Sequence, residues 1–524
     1  MKNGYWRALA LTVIGLTDTA SAAAPNYGGA AVLVIGQDPT NFNPALSTGL
    51  VDRTIGCVTS SSLLQVTPDY QLKPLLAKSW AVSPDGLTYT FELNKAEWHD
   101  GKPFTSEDVK FSLLEINAKY SSSFIAAGRT IEAVETPAPD KVVVKLKQTF
   151  GPFFLSLTCS GGGTISPAHI YRGTNPLQNP SSITAPVGTG AFKFAEWVRS
   201  DHIRLVKNDK FFIPGRPYLD EIIAKVIPQT AARMQALKAG EVDIVQYLPP
   251  NDQTQVRASA NLKIERNPTA PGMTYAFLNN ERKPLDDKRV RQALFMAVDR
   301  EYLLKNAFFG LGEAARAPFT TDIPWAVNKD IDLNKLFPFD VARANALLDE
   351  AGVKRGADGK RFALKIAIFA TTYPEFQQVA AALKSMWAAV GIDLSTESLE
   401  DATMLKKVYA DRDFDVTLNS YSSFGDPALG ISRVYVSSMV GRPLGNPTGY
   451  KNAEIDKLFD EGEKGTTNAE RVPAYSKIQA MMAQELPSLP LRQYTNIDGA
   501  SKRLNGLWGD IQGSSTWIDA WLEK

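Results

Sequence analysis

The sequence predicts an α/β protein of two lobes with mixed sheets, the first lobe larger and carrying an extra β-rich subdomain. Three observations predict it. At 524 residues the chain is too long for one ordinary domain. Strand signals dominate the first half, whereas strands alternate with helices in the second. Between the halves, residues 267–272 read NPTAPG, a breaker that separates a strand-like run at 262–266 from another at 273–278. A composition of 44% hydrophobic and 22% charged residues is ordinary for a globular protein with large cores.

The N-terminus reads as a leader. Lys2 and Arg7 precede an apolar run at 8–16, and Ala20, Ser21 and Ala22 supply small residues for cleavage, which makes residues 1–22 a signal peptide. Cleavage after Ala24 fits nearly as well. The apolar run is too short for a permanent span, and no later stretch reaches the roughly 18 to 20 apolar residues required. This implies an exported, soluble chain. With no cysteine at the cleavage point to carry a lipid, it is expected to be free in the periplasm. The formal net charge of +1 falls to zero once Lys2, Arg7 and Asp18 leave with the leader, so nucleic acid is not an expected partner.

The first strand of the mature chain covers 31–35. Cys57 and Cys159, the two cysteines, lie 102 positions apart. They form either one disulfide or two separate buried thiols, since spacing alone cannot bring two Cα atoms into bonding range. Leu87, Tyr89, Phe91 and Leu93 alternate with polar residues, the period of a half-buried strand. A turn with Asp100, Gly101 and Pro103 follows, and then Thr105 with Asp108 opens a helix as a capping box, with Val109, Leu113 and Ile116 on one face. Residues 142–146 are a Val-rich strand, and Phe192, Phe194, Ile203 and Leu205 alternate on either side of a turn at 199–201. Past the breaker, Val290, Ala293, Leu294, Ala297 and Val298 form an amphipathic stripe capped by Asp286 or Asp287. Leu364, Ile366 and Ile368 mark a strand, Phe376 to Val390 keeps helical spacing up to Gly391, and 414–418 is the next strand.

Residues 80–112, WAVSPDGLTYTFELNKAEWHDGKPFTSEDVKFS, resemble the signature block of the family 5 extracellular solute-binding proteins, receptors of ABC importers for dipeptides, oligopeptides, nickel and opines. PVGTGAFKFAEW at 186–197, GEVDIV at 240–245, PLDDKRVRQALFMAVDRE at 284–301, FDVTLNSYSSFGDP at 414–427 and GYKNAEIDKLF at 449–459 extend the resemblance in the family's order. It implies a periplasmic-binding-protein clamshell. Lobe 1 would hold 23–270 and 492–524, lobe 2 would hold 271–491, and the chain would return near 489–494 so that two crossovers act as a hinge. It also implies a monomeric receptor, not an enzyme and with no cofactor or metal, that passes a small polar metabolite to an ABC permease in the inner membrane. The metabolite would be opine-like or sugar-phosphate-like. A receptor for oligopeptides or dipeptides is the alternative, and a secreted hydrolase is the rival from another class. The hydrolase lacks support: there is no G-x-S-x-G elbow, H-E-x-x-H helix or G-x-x-x-x-G-K loop, and His99, His169 and His202 all sit in segments that read as structural.

The segment NSYSSFGDP supplies the main site candidates, because open α/β sheets bind ligands beyond the carboxyl ends of their strands. These are Asn419, Ser420, Tyr421, Ser422, Ser423, Phe424 and Asp426. In peptide-binding members an Asp three positions before the Asp-Pro pair takes the ligand's ammonium group. Here that position is Ser423, and a neutral hydroxyl cannot make the charge-assisted bond. Tyr373 is expected at the same sheet edge, Asn41, Phe42 and Asn43 at the cleft from the opposite lobe, and Tyr494 near the second crossover. Arg433 and Arg442 are candidates for receiving a carboxylate or phosphate.

Overall fold

Alternating apolar residues build two large mixed sheets, one per lobe, and a smaller antiparallel one. The computed structural model describes residues 24–524 apart from 48, 69, 269–271, 321–322, 370–372, 374, 443 and 510–514, without the side chains of 250, 251, 401 and 402. The expected leader lies outside the described residues.

The first sheet runs in the order Leu262–Arg266, Ile497–Ser501, Ile244–Val245, Ala30–Ile35, Glu221–Val226, His202–Lys207, Phe192–Val198. Ala30–Ile35 is parallel to Glu221–Val226, and its Ala31, Leu33 and Ile35 enter one core with Ile222 and Ala224. The alternation at Phe192, Phe194, Ile203 and Leu205 produces the hairpin it predicts, with Phe194 opposite Leu205. Residues 77–146 supply the β-rich subdomain, an antiparallel sheet in the order Ala77–Val82, Thr88–Leu93, Lys141–Leu146, Ile131–Ala138. Tyr89, Phe91 and Leu93 point into its core, and the Thr105–Asp108 capping box is formed.

The second sheet has the order Glu313–Ala314, Ser488–Tyr494, Gly272–Leu278, Val416–Ser422, Phe362–Phe369, Ile392–Leu399. Phe362–Phe369 and Ile392–Leu399 are parallel, and the helix Phe376–Ala388 that joins them buries Phe376, Val379, Leu383 and Trp387 on the sheet. A parallel pair needs such a crossover.

The chain leaves the first sheet after Arg266 and returns to it at Ile497. Tyr494 still pairs with Gly272 in the second sheet, so that sheet extends past residue 491, where the lobe was expected to end. The two crossings lie side by side. Asn267 donates through Nδ2 to both oxygens of Asp498, at 3.1 and 3.2 Å, and its N–H donates to the Asn496 carbonyl at 2.9 Å. Burial pushes the Asp498 carboxyl up to about 7, against the hydrogen bonds from Asn267 and the Tyr247 N–H. Just past the small antiparallel sheet, the Gly151 N–H donates to the Glu463 carbonyl at 2.7 Å and the Thr149 hydroxyl to the Lys464 carbonyl, so the first lobe also touches the second here. Of the two arrangements open for the cysteines, the structure has the bridge: Cys57, on the helix Leu50–Thr59, is bonded to Cys159 with Cα atoms 6.1 Å apart.

Candidate functional site

Alternation alone ends the central strand of the second sheet at Leu418, yet it runs from Val416 to Ser422. The reason is its neighbour: Gly272, Thr274 and Tyr275 hold Ser422, Ser420 and Asn419 in the ladder. Residues 419–422 therefore belong to a strand, and their side chains alternate between its faces. On one face Asn419 donates through Nδ2 to the Tyr409 hydroxyl at 3.0 Å, and the Tyr421 and Tyr409 hydroxyls meet at 2.6 Å. On the other, the Ser420 and Thr274 hydroxyls meet at 3.0 Å, and Tyr494 sits beside Ser420 and over Gly272, where a Cβ would lie 2.7 Å from its ring.

The strand ends in a tight turn. Phe424 has φ 53° and Gly425 φ 80°. The first is costly for a bulky residue, and it is held by its N–H on Ser422 Oγ at 3.3 Å, while the Gly425 N–H donates to Ser423 Oγ at 3.1 Å. Gly425 meets the opposite lobe here: a Cβ would lie 2.5 Å from the Tyr70 ring. Ser423 is fully buried.

Several candidates are used elsewhere. Asp426 is a structural anion. Arg471 grips both its oxygens, at 2.6 and 2.5 Å, and the Ala428 N–H donates to Oδ1 at 2.9 Å. Burial lowers the Arg471 pKa, but adjacent Asp426 more than reverses this and leaves it raised. Phe42 is a core residue, 1% exposed, with its ring edge-on to Phe194 and Trp197. An aromatic just after a strand serves packing or recognition equally well, and here the hairpin covers it. Asn41 and Asn43 are turn-formers: Asn41 Oδ1 accepts the Asn43 N–H at 2.8 Å, and Asn43 Oδ1 accepts the Ala45 N–H at 3.0 Å. Arg442 lies exposed on a turn closed by the Asn446 and Gly445 N–H groups.

The others converge. The Arg433 guanidinium lies 5.2 Å from the ring centres of both Tyr421 and Phe424, within electrostatic reach of Tyr373 and Tyr409. Tyr373 stacks on Phe376 at 4.6 Å. The half-buried Arg433 side chain makes no hydrogen bond or ion pair with any described residue, and its Nε is buried without a partner. Burial holds its pKa below the usual guanidinium value. Beside the turn, a cleft of about 770 Å³ opens between the lobes, with Tyr70, Phe154 and Trp325 among its walls and Gly425 and Asp426 at its edge. That volume suits a ligand held between two lobes.

The family model for bacterial extracellular solute-binding proteins, family 5 (Middle), matches residues 71–439. The chain belongs to this family. A family 5 protein binds its solute without transforming it and acts as the solute receptor of an ABC importer. The chain is 30% identical to the oligopeptide-binding protein AppA of Bacillus subtilis over 526 residues, covering 96% of this chain and 93% of that one. The solved structure of AppA with a nonapeptide superposes with TM-score 0.82 at 28% identity, over 96% of this chain and 100% of that one. The structure of AgaA from A. tumefaciens R10 with agropinic acid superposes with TM-score 0.78 at 26% identity, over 95% and 99%.

Three residues that shape the site in this family 5 chain escape sequence reasoning. Tyr409 lies in a helical turn with no motif. Arg471 sits 45 positions from Asp426. Arg53 is four residues before Cys57 on one helix face, so it becomes legible only once Cys57 is known to be bridged to Cys159: its Nη2 donates to the Ser160 carbonyl at 2.7 Å.

Proposed function

We propose that the chain captures short peptides between its lobes for an ABC importer, without a charged grip on the amino terminus. The aromatic-walled cleft beside residues 423–426 carries this reading, supported by the similarity to an oligopeptide-binding protein. Ser423 is buried and neutral, so the peptide would be held by its backbone and side chains instead. Agropinic acid in AgaA and the neutral Ser423 favour a second reading, an opine-like anion. Calorimetry with a tetrapeptide, its N-acetylated form and agropinic acid tests both. The two peptides are expected to bind within about threefold of each other. Ser423→Asp should favour the free amine by about tenfold, and Phe424→Ala should cost both peptides about 1 to 3 kcal/mol, with circular dichroism verifying the fold. Binding of agropinic acid with no binding of any peptide would replace the first reading with the second.

The leader pattern supports a periplasmic location. N-terminal sequencing of the exported protein should begin at Ala23 or Pro25, and an intact Met1 overturns that placement.

A further inference from the structure

Buried charges ordinarily have partners, because removing an ion from water costs several kcal/mol that only a counter-ion and hydrogen bonds can offset. Two arginines here lack the usual partners, the buried Arg53 and the half-buried Arg433, whose Nε is itself buried. Arg53 is 6% exposed on the helix Leu50–Thr59 of the first lobe. Its Nη2 donates to backbone carbonyls only, those of Ser160 at 2.7 Å and Cys159 at 3.4 Å, and its Nε is buried without a partner. Arg433, on the second lobe, has an aromatic bed of Tyr421 and Phe424 and an equally unpartnered Nε. Neither takes part in a salt bridge among the described residues, whereas buried Arg471 has Asp426 and buried Arg492 has Glu375. Buried Arg300 also lacks a salt bridge, but it donates to Asn334 Oδ1 and to the Phe295 and Phe337 carbonyls and has Asp299, Glu301 and Asp332 acting on it. The two unpaired cations are also electrostatic neighbours, and the other charged or titratable groups acting on them are the tyrosines 247, 373, 409 and 421. No carboxylate is among them.

We propose that Arg53 and Arg433 form a subsite, spanning the two lobes, for a carboxylate group of the ligand. The guanidinium fork matches the two oxygens of a carboxylate, and the Tyr421 and Phe424 rings fix the plane of Arg433. A carboxylate between the two arginines would cancel the repulsion between the lobes and so favour closure only when the anionic ligand is present. On the peptide reading, which this inference rests on, the group is the C-terminal or an acidic side-chain carboxylate.

Two arms keep the inference apart from that reading. In the first, calorimetry compares a tetrapeptide with its C-terminal amide, neither containing Asp or Glu. Arg433→Gln is expected to weaken the acid by about tenfold to a hundredfold and the amide by less than about threefold. Equal losses for both, or no loss, overturn the subsite. The second arm needs no peptide. Succinate at constant ionic strength should raise the melting temperature of the parent protein above its value in chloride, and should not do so for Arg433→Gln. A rise in inorganic phosphate but none in succinate overturns the carboxylate assignment. Arg433→Leu, which removes a half-buried unpaired charge, is expected to melt higher than the parent in chloride without ligand. A lower melting temperature would make Arg433 a structural residue and overturn the inference. If no peptide binds, the peptide reading fails, and the succinate arm still decides the subsite.

Discussion

Arg471→Leu is expected to destabilise the folded protein by about 3 to 5 kcal/mol, the cost of leaving one partner of a buried ion pair without the other. Arg471 and Asp426 are nearly fully buried and joined through both carboxylate oxygens. Arg471 also donates to the Gly462 carbonyl at 2.6 Å and the Tyr475 hydroxyl at 3.2 Å, and lies 4.8 Å from the Trp325 ring centre. The leucine would thus strand an anion at the start of the helical turn that follows residue 426, beside the cleft. Asp426→Asn together with Arg471→Leu should recover part of the loss, because no buried charge remains. Urea unfolding of the three proteins checks this. A single variant as stable as the parent would mean that the pair contributes nothing.

Removing the disulfide is the second large effect. Cys57→Ala with Cys159→Ala opens a loop of 102 residues, for which the chain-entropy model assigns about 4 to 5 kcal/mol. The loss should also loosen Arg53, because Cys159 and Ser160 hold it by their carbonyls. Denaturant unfolding of parent and double variant, with thiol titration of the unreduced parent, measures both halves of the expectation. Two titratable thiols in the unreduced parent, or equal stabilities, would refute it.

What could be read from the sequence follows from the range of the physics involved. Burial periodicity is local, so the helix carrying Phe376, Leu383 and Trp387 and the hairpin pairing Phe194 with Leu205 show in the residues themselves. The end of the central strand does not, since Ser420 and Ser422 are ordered by pairing with Thr274 and Gly272. Site chemistry is less local still. Asp426 has the composition of a ligand contact, and only the fold shows that Arg471 has claimed it. Phe42 could have faced a cleft until the hairpin closed over it. Arg433 was legible only as a guanidinium able to receive a carboxylate or phosphate, a description that fits the exposed Arg442 equally well. Arg53 was not, because its neighbour across the lobes lies 380 positions away.

The position of the strand Ile497–Ser501 has a consequence for how the chain is made. It lies inside the first sheet, between Leu262–Arg266 and Ile244–Val245, and Trp517 and Ala520 join the same lobe's core. The ends of the second lobe, by contrast, are paired neighbours, Gly272 opposite Tyr494. A polypeptide emerging amino terminus first therefore begins one lobe, completes the other, and only then completes the one it began. Until the last thirty or so residues arrive, two strand edges of the first sheet stand open to pairing with other chains. Order of synthesis and order of completion are reversed, and the interval between them is when those edges are exposed.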